Sequence, residues 1–146
     1  MTDIPQETLD GLVSRALDAR KNAYAPYSRF AVGAAVLAAS GKTYAGANVE
    51  NSSYPAGTCA ERNAVGAAVG AGERRLLAVA ICGGPEDGPA AWCSPCGICR
   101  QTLREFCDPA DFRVIVARAL GDCRVYTLAE LLPESFGPDS LRPATA

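Results

Sequence analysis

An α/β sandwich, with a sheet that begins antiparallel and turns parallel, is the fold this chain of 146 residues predicts. Three observations carry the prediction. Segments of helical period and apolar runs of strand length succeed one another as a helix, two strands, and then alternating helices and strands. Gly, Pro, Asn and Ser gather between those segments, where turns are needed. Hydrophobic residues make up 49% of the chain and charged residues 21%, the balance of one soluble globule with a single core. One domain over residues 1–146 is expected, with no internal repeat, linker or low-complexity segment.

The elements follow in order. Residues 6–22 carry Leu9, Leu12, Val13, Ala16 and Leu17 at three- and four-residue spacing with Asp and Arg between, which predicts an amphipathic helix. Pro26 ends that pattern. The run FAVGAAVLA over 30–38 fits a buried strand, Ser40-Gly41-Lys42 a hairpin turn, and 43–49 the returning strand. A loop rich in Asn, Ser, Pro and Gly covers 50–58. Thr58 is placed to cap a helix over 59–71, with Glu61 three residues on in the capping-box position. LLAVAIC over 76–82 is a continuous apolar strand, and 83–89 a turn-rich connection. Ser94 or Pro95 opens a second helix over 96–106, since Pro suits a helix start. FRVIVA over 112–117 is a strand, 124–126 a short one, and Thr127 caps a last short helix over 128–132. The tail from Pro133 is proline-rich with few apolar anchors, so residues from about 138 to 146 are expected to be loose.

Composition excludes several function classes. Net charge is −2, whereas a polyanion-binding protein is usually basic, so no nucleic-acid polymer is an expected partner. No apolar run approaches the roughly 20 residues that span a bilayer, so no membrane is expected either. The first residues are polar and acidic, unlike a secretory leader, which predicts a cytoplasmic protein. Seven cysteines, two of them in Cys-x-x-Cys, then read as metal ligands or redox groups before they read as a disulfide framework. The chain has no His, so Ser-His and Cys-His catalysis are excluded. Acid–base work near neutral pH falls to a carboxylate, Cys, Tyr or Lys with a shifted pKa.

Cys59-Ala60-Glu61, followed downstream by Pro95-Cys96-Gly97-Ile98-Cys99, supplies that chemistry. Three soft ligands hold a zinc ion and leave its fourth tetrahedral position to water. A carboxylate two residues from a ligand is placed to move protons to and from that water. The pattern is close to the zinc-deaminase signature. Cys59 and Cys96 each fall at a predicted helix start, where unpaired N–H groups stabilise thiolates, and Cys99 lies one turn after Cys96. Three thiolates and one Zn²⁺ total −1, so Arg62 is expected to donate to a ligand sulfur, with Arg100 a second candidate. Glu61 is too near Cys59 along the chain to serve easily as a fourth ligand. Cys93 keeps two other readings open. A closed structural site of Cys59, Cys93, Cys96 and Cys99 satisfies the same ligand chemistry, and Cys93, Cys96 and Cys99 resemble part of an iron–sulfur run, although Leu103 occupies its next ligand position. Cys82, Cys107 and Cys123 read as packing residues.

These residues and their surroundings resemble the cytidine deaminase family, in its short homotetrameric branch. The shared motifs are Tyr24-x-Pro26-Tyr27-Ser28-x-Phe30, Val32-Gly33-Ala34, Gly46-x-Asn48-Val49-Glu50-Asn51, Cys59-Ala60-Glu61-Arg62, Pro95-Cys96-Gly97-x-Cys99-Arg100-Gln101, Glu105-Phe106 and Leu131-Leu132-Pro133. The resemblance implies a three-layer α/β/α sandwich around a five-stranded mixed sheet. It implies hydrolytic deamination of cytidine and 2′-deoxycytidine to the uridines with release of ammonia, in pyrimidine salvage. By the same resemblance, Cys59, Cys96 and Cys99 bind one zinc per chain and Glu61 shuttles protons. Asn48 and Glu50 hold the sugar hydroxyls, Phe30 packs on the pyrimidine, and the Ala60 main chain meets the base edge. Ser52, Tyr54 and Phe136 serve sites shared between subunits of a homotetramer. The residues are compatible with those roles: Asn48 and Glu50 alternate along an extended segment, and a carboxylate accepting from a hydroxyl specifies a sugar. Phe30 also reads as a core aromatic, and Tyr24 and Tyr27 read first as packing residues.

Overall fold

The computed structural model describes residues 2–142. Helix α1 (Gln6–Arg20) precedes a hairpin of β1 (Phe30–Ala38) and β2 (Thr43–Ala47). A 3-10 turn at Tyr54–Ala56 leads into α2 (Ala60–Gly70), β3 (Leu76–Pro85) and α3 (Gly97–Arg104). Strands β4 (Arg113–Ala119) and β5 (Asp122–Thr127) then lead to two single-turn helices, α4 (Leu128–Leu131) and α5 (Pro138–Leu141). The five strands form one mixed sheet in the order β2-β1-β3-β4-β5. β1 is antiparallel to both β2 and β3, β3 and β4 are parallel, and β5 returns antiparallel on β4.

Helices cover both faces of this sheet, because the strand residues alternate sides at period two. Ala35, Leu37, Ala80 and Cys82 meet Leu12, Val13 and Ala16 of α1. Ala34, Val36, Val79 and Ile81 face the other way, onto Ala64, Val65 and Ala68 of α2 and Leu103 of α3. The predicted three layers are therefore present. Much of this core is alanine, which brings helix and sheet backbones close. Two glycines bring them closer still. A Cβ on Gly33 would lie 2.1 Å from Ala16 O in α1, and one on Gly46 would lie 2.6 Å from Ala64 N in α2. Among the described residues, no helix is long and apolar enough to cross a membrane.

Several element boundaries differ from expectation by one or more residues. β3 runs on through Gly83 and Gly84, which read as turn residues, because they pair with Val32 and Ala31 of β1. β2 stops at Ala47, and Val49 bridges Tyr24 and Thr58 instead. That bridge commits the Thr58 main chain (Val49 N–H to Thr58 O, 2.9 Å; Thr58 N–H to Val49 O, 2.8 Å). Helix α2 consequently starts one residue later, with Cys59 as its N-cap and no side-chain cap, so the Thr58–Glu61 capping box does not form. The sheet does not stay parallel either, because a tight turn through Gly121 (φ 78°) folds β5 back on β4. The cap expected at Thr127 does form, and it extends to a full capping box with Glu130. Of the segment expected to be loose, Pro138–Leu141 make one helical turn, and residues 143–146 lie outside the described residues.

Candidate metal centre and substrate cleft

Helix α2 follows β2 and helix α3 follows β3, and residues at their two starts line one cavity with Val32 of β1. Cys59 is the N-cap of α2 and Cys96 that of α3, both with extended backbone. The Cys59 side chain does not cap its own helix, which leaves its thiol available to a shared partner. Cys99, in the first turn of α3, is fully buried. The three Sγ atoms lie within 4.8 Å of one another. A tetrahedral zinc with Zn–S bonds of about 2.3 Å would set its sulfurs about 3.8 Å apart, so this cluster fits the ion with little adjustment.

The electrostatics express the same demand. Burial pushes the Cys59 thiol up. Burial, then the charge of Glu61, pushes Cys99 up further. For Cys96 burial also acts upward, but N–H groups of Cys99 and Ile98 at the start of α3 and the neighbouring sulfurs outweigh it and hold the thiol below its ordinary value. A cation among the three sulfurs offsets the cost of burying their charged forms, so metal binding and deprotonation favour each other.

Cys93 does not belong to this cluster. Its sulfur lies against bare main chain, 2.7 Å from where a Cβ on Gly83 would sit. Burial pushes its thiol up to about 11. The protein therefore offers three sulfurs to a metal, and the closed four-Cys arrangement is not the one the fold assembles. Cys82 is buried in the α1 face of the core and Cys107 packs part-buried on the other face, as packing residues should, whereas Cys123 is exposed on the edge strand β5.

Glu61 occupies the first turn of α2 and is only 5% exposed. Burial raises its carboxyl above the ordinary value, opposed in part by the Cys99 thiol and by the charge of Arg62. It lines a cavity of about 170 Å³ together with Cys59 and Cys96; Val32, Asn48, Ala60, Cys93 and Ser94 complete the walls. A protonatable carboxyl beside a three-thiol metal site, largely shut off from water, can exchange protons with whatever the metal polarises.

A second cleft of about 380 Å³ is lined by Tyr27, Ser28, Glu50, Asn51, Tyr54 and Gly57. Glu50 is held by the Tyr27 and Ser28 N–H groups at 3.0 and 3.1 Å. Bonds from the Ser28 side chain and main chain keep its carboxyl below the ordinary range. Tyr27 and Tyr54 rings face each other here at 6.0 Å and 59°. Asn48 opens on the smaller cavity instead. Its Oδ1 accepts from Val32 N–H at 2.9 Å and its Nδ2 donates to Phe30 O at 2.8 Å, which ties the loop after β2 to the start of β1. One N–H and one lone pair of that amide remain for a ligand. Phe30 is 37% exposed at the mouth of β1, Ala60 is buried, and Ser52 is exposed in the loop. Tyr54 and Phe136 are 77% and 59% exposed, and Phe136 lines neither cavity. Sequence reasoning gave Ser28 and Tyr27 no role in holding Glu50; their place in the motif before Phe30 was the available signal. A roomier cleft, about 490 Å³ between Arg74, Arg75 and Arg104, lies away from the thiols, so chemistry and not volume locates the site.

The two arginines expected beside the sulfurs bond main-chain carbonyls instead. Arg62 donates Nη2–H to Gly57 O at 3.1 Å, and Arg100 donates to Pro95 O at 2.7 Å and Leu131 O at 2.8 Å. Arg62 Nε is buried without a partner among the described residues.

The family model "Cytidine and deoxycytidylate deaminase zinc-binding region" matches residues 6–116. A cytidine deaminase of Halalkalibacterium halodurans is 42% identical over 130 residues, 89% of this chain and 95% of that protein. One of Sporosarcina psychrophila is 43% identical over 133 residues, 91% and 94% of the two chains. The crystal structure of cytidine deaminase from Mycobacterium tuberculosis superposes with a TM-score of 0.75 at 38% identity, covering 92% of this chain and 99% of that one.

Proposed function

Since the chain belongs to the cytidine and deoxycytidylate deaminase family, we propose that it hydrolyses cytidine and 2′-deoxycytidine to uridine and 2′-deoxyuridine with release of ammonia. The observation that carries the reading is Glu61, a buried carboxyl sharing one cavity with two thiols of a three-sulfur cluster. Cys59, Cys96 and Cys99 hold one zinc per chain. When bound, zinc supplies a polarised water as nucleophile at neutral pH. Glu61 takes a proton from that water and delivers it to ring N3, which makes C4 electrophilic. As the C4–O bond forms and the C4–N bond breaks, Glu61 carries the second proton to the departing amine. One carboxyl working in both directions suits a chain that has no His.

Glu50 accepts from a sugar hydroxyl; the two N–H groups that already hold it keep it ionised and aimed. Asn48 adds its remaining amide N–H, Phe30 packs on the pyrimidine, and Ala60 presents its main chain to the base edge. Arg62, whose Nε–H has no partner among the described residues, would be available to donate to a ligand sulfur, and Arg100 braces the Pro95 carbonyl one residue before Cys96. Residues 1–146 act as one domain. The assembly is a homotetramer, in which Ser52, Tyr54 and Phe136 serve sites shared between subunits. The exposed, paired rings of Tyr27 and Tyr54 support this, since adjacent exposed aromatics suit a contact between copies. Seven free cysteines suit the reducing cytoplasm and a place in pyrimidine salvage. The decisive assay follows loss of the cytidine absorption band with cytidine, deoxycytidine, cytosine and a short single-stranded oligonucleotide side by side, with and without chelator. Turnover of the two nucleosides, abolished by chelation, is expected; turnover of the oligonucleotide or the free base in their place would overturn the assignment.

A further inference from the structure

Glu61 and Arg104 are the two buried charged residues of the described fold. The chemistry accounts for Glu61. Arg104 touches neither cavity of the site, yet a guanidinium is not buried without a cost that its bonds must offset. It sits in the last turn of α3, the helix that Cys96 precedes as N-cap and that contains Cys99. Its Nε–H donates to Ser135 Oγ at 2.8 Å and its Nη2–H to Asp139 Oδ1 at 2.6 Å. Its guanidinium packs on Gly137, where a Cβ would lie 2.4 Å from Cζ. One turn earlier, Gln101 donates to Phe136 O at 2.9 Å. Residues 135, 136, 137 and 139 are thus each fixed to α3, while the Phe136 ring between them stands 59% exposed. A pinned backbone beneath an exposed aromatic is the arrangement of a preorganised contact, not of a fraying end.

Resting on the reading above that Phe136 serves a neighbouring copy's site, we propose that Arg104 is a positioning residue for the reaction: it clamps segment 135–139 onto the metal-bearing helix and so presents Phe136. Asp139 closes the clamp from the solvent side, being 70% exposed against 9% for Arg104. Arg104 and Asp139 act on substrate through Phe136, so their loss appears in KM and not in zinc content.

The test compares Asp139→Asn, Arg104→Met, Arg104→Lys and Phe136→Ala in the zinc-loaded assembly, measuring KM and kcat for cytidine, zinc per chain, and amide exchange at Ser140 and Arg142. Those amides bond Gly137 O and Pro138 O within the clamped turn. Cytidine KM is expected to rise roughly threefold in Asp139→Asn and about tenfold in Arg104→Met, with kcat within about twofold and faster exchange at both amides. Arg104→Lys, which keeps the charge but not the fork, should fall between wild type and Arg104→Met. A raised KM in Phe136→Ala with wild-type KM in both Asp139→Asn and Arg104→Met would overturn the clamp. So would loss of zinc and kcat together in Arg104→Met and Asp139→Asn, the mark of a purely structural role. An unchanged KM in Phe136→Ala removes instead the reading of Phe136 on which the clamp depends.

Discussion

Glu61 stands where burial and chemistry pull in opposite directions. Desolvation disfavours its ionised form, and that makes it ready to hold a proton between water and substrate. Exchanging Glu61 for Gln preserves shape and removes the proton carrier. Turnover is expected to fall about 10²- to 10⁴-fold while zinc stays at one per chain, as metal analysis beside steady-state rates would show. Glu50 is the opposite kind of carboxylate, lowered from its ordinary 4.5 by bonds from Ser28 and Tyr27. A lowered carboxylate keeps its charged-form interactions above its ordinary value and loses them only as pH falls through the lowered one. Its grip on a sugar hydroxyl should therefore survive mild acid, and KM for cytidine should stay flat between about pH 5 and pH 8. A KM that climbs on acidification within that range would argue against Glu50 as the sugar contact. Arg62 carries an Nε–H with no partner among the described residues, an arrangement proteins rarely leave unused. Arg62→Gln is expected to weaken zinc retention against a competing chelator about tenfold to a hundredfold.

At the level of elements, two helix starts make the metal site, and the sheet decides how closely they approach. Gly46 on β2 is where α2 rests, with Ala64 N and Ala60 O both within 2.7 Å of a would-be Cβ. A methyl there must push α2 off the sheet, and α2 carries Cys59 at its cap and Glu61 in its first turn. Gly46→Ala should cost about 1–3 kcal/mol of stability and reduce turnover together with it. Gly66, in the same helix but exposed with open space around its Cα, is the control. Gly66→Ala should stabilise by about 0.5–1 kcal/mol and leave turnover unchanged. Thermal melts and rates on the pair distinguish a displaced helix from one that merely gained helix propensity.

On the scale of the whole molecule, a cation holds together the first turns of two helices that follow different strands. Its removal should lower the melting temperature as well as abolish activity, and added zinc should restore both. If sites are completed across copies, specific activity should fall on dilution in step with dissociation of the assembly, a comparison that sedimentation at matched concentrations provides.

Much of this was legible along the chain. The strand at 30–38 appears with the predicted boundaries, because nine consecutive apolar or small residues between turn signals leave little alternative. The candidate ligands Cys59, Cys96 and Cys99 were legible too, with Cys93 still open beside them, because the Cys-x-Glu and Cys-x-x-Cys spacings and the helix starts that follow them are local features. Local pattern and chemistry determine those features, and both act over a few residues. The tertiary structure alone decided the rest. It set Cys93 against Gly83 and out of the metal cluster, and started α2 at Cys59 because Thr58 was already bonded to Val49. It turned Arg62 to the Gly57 carbonyl and opened Asn48 and Glu50 onto different cavities. Each of these outcomes depends on which segment lies alongside another, sometimes fifty residues away as with Val32 and Gly83. Pairing of that kind is set by competition for the same backbone groups and the same space, and neither is visible until the chain has closed on itself.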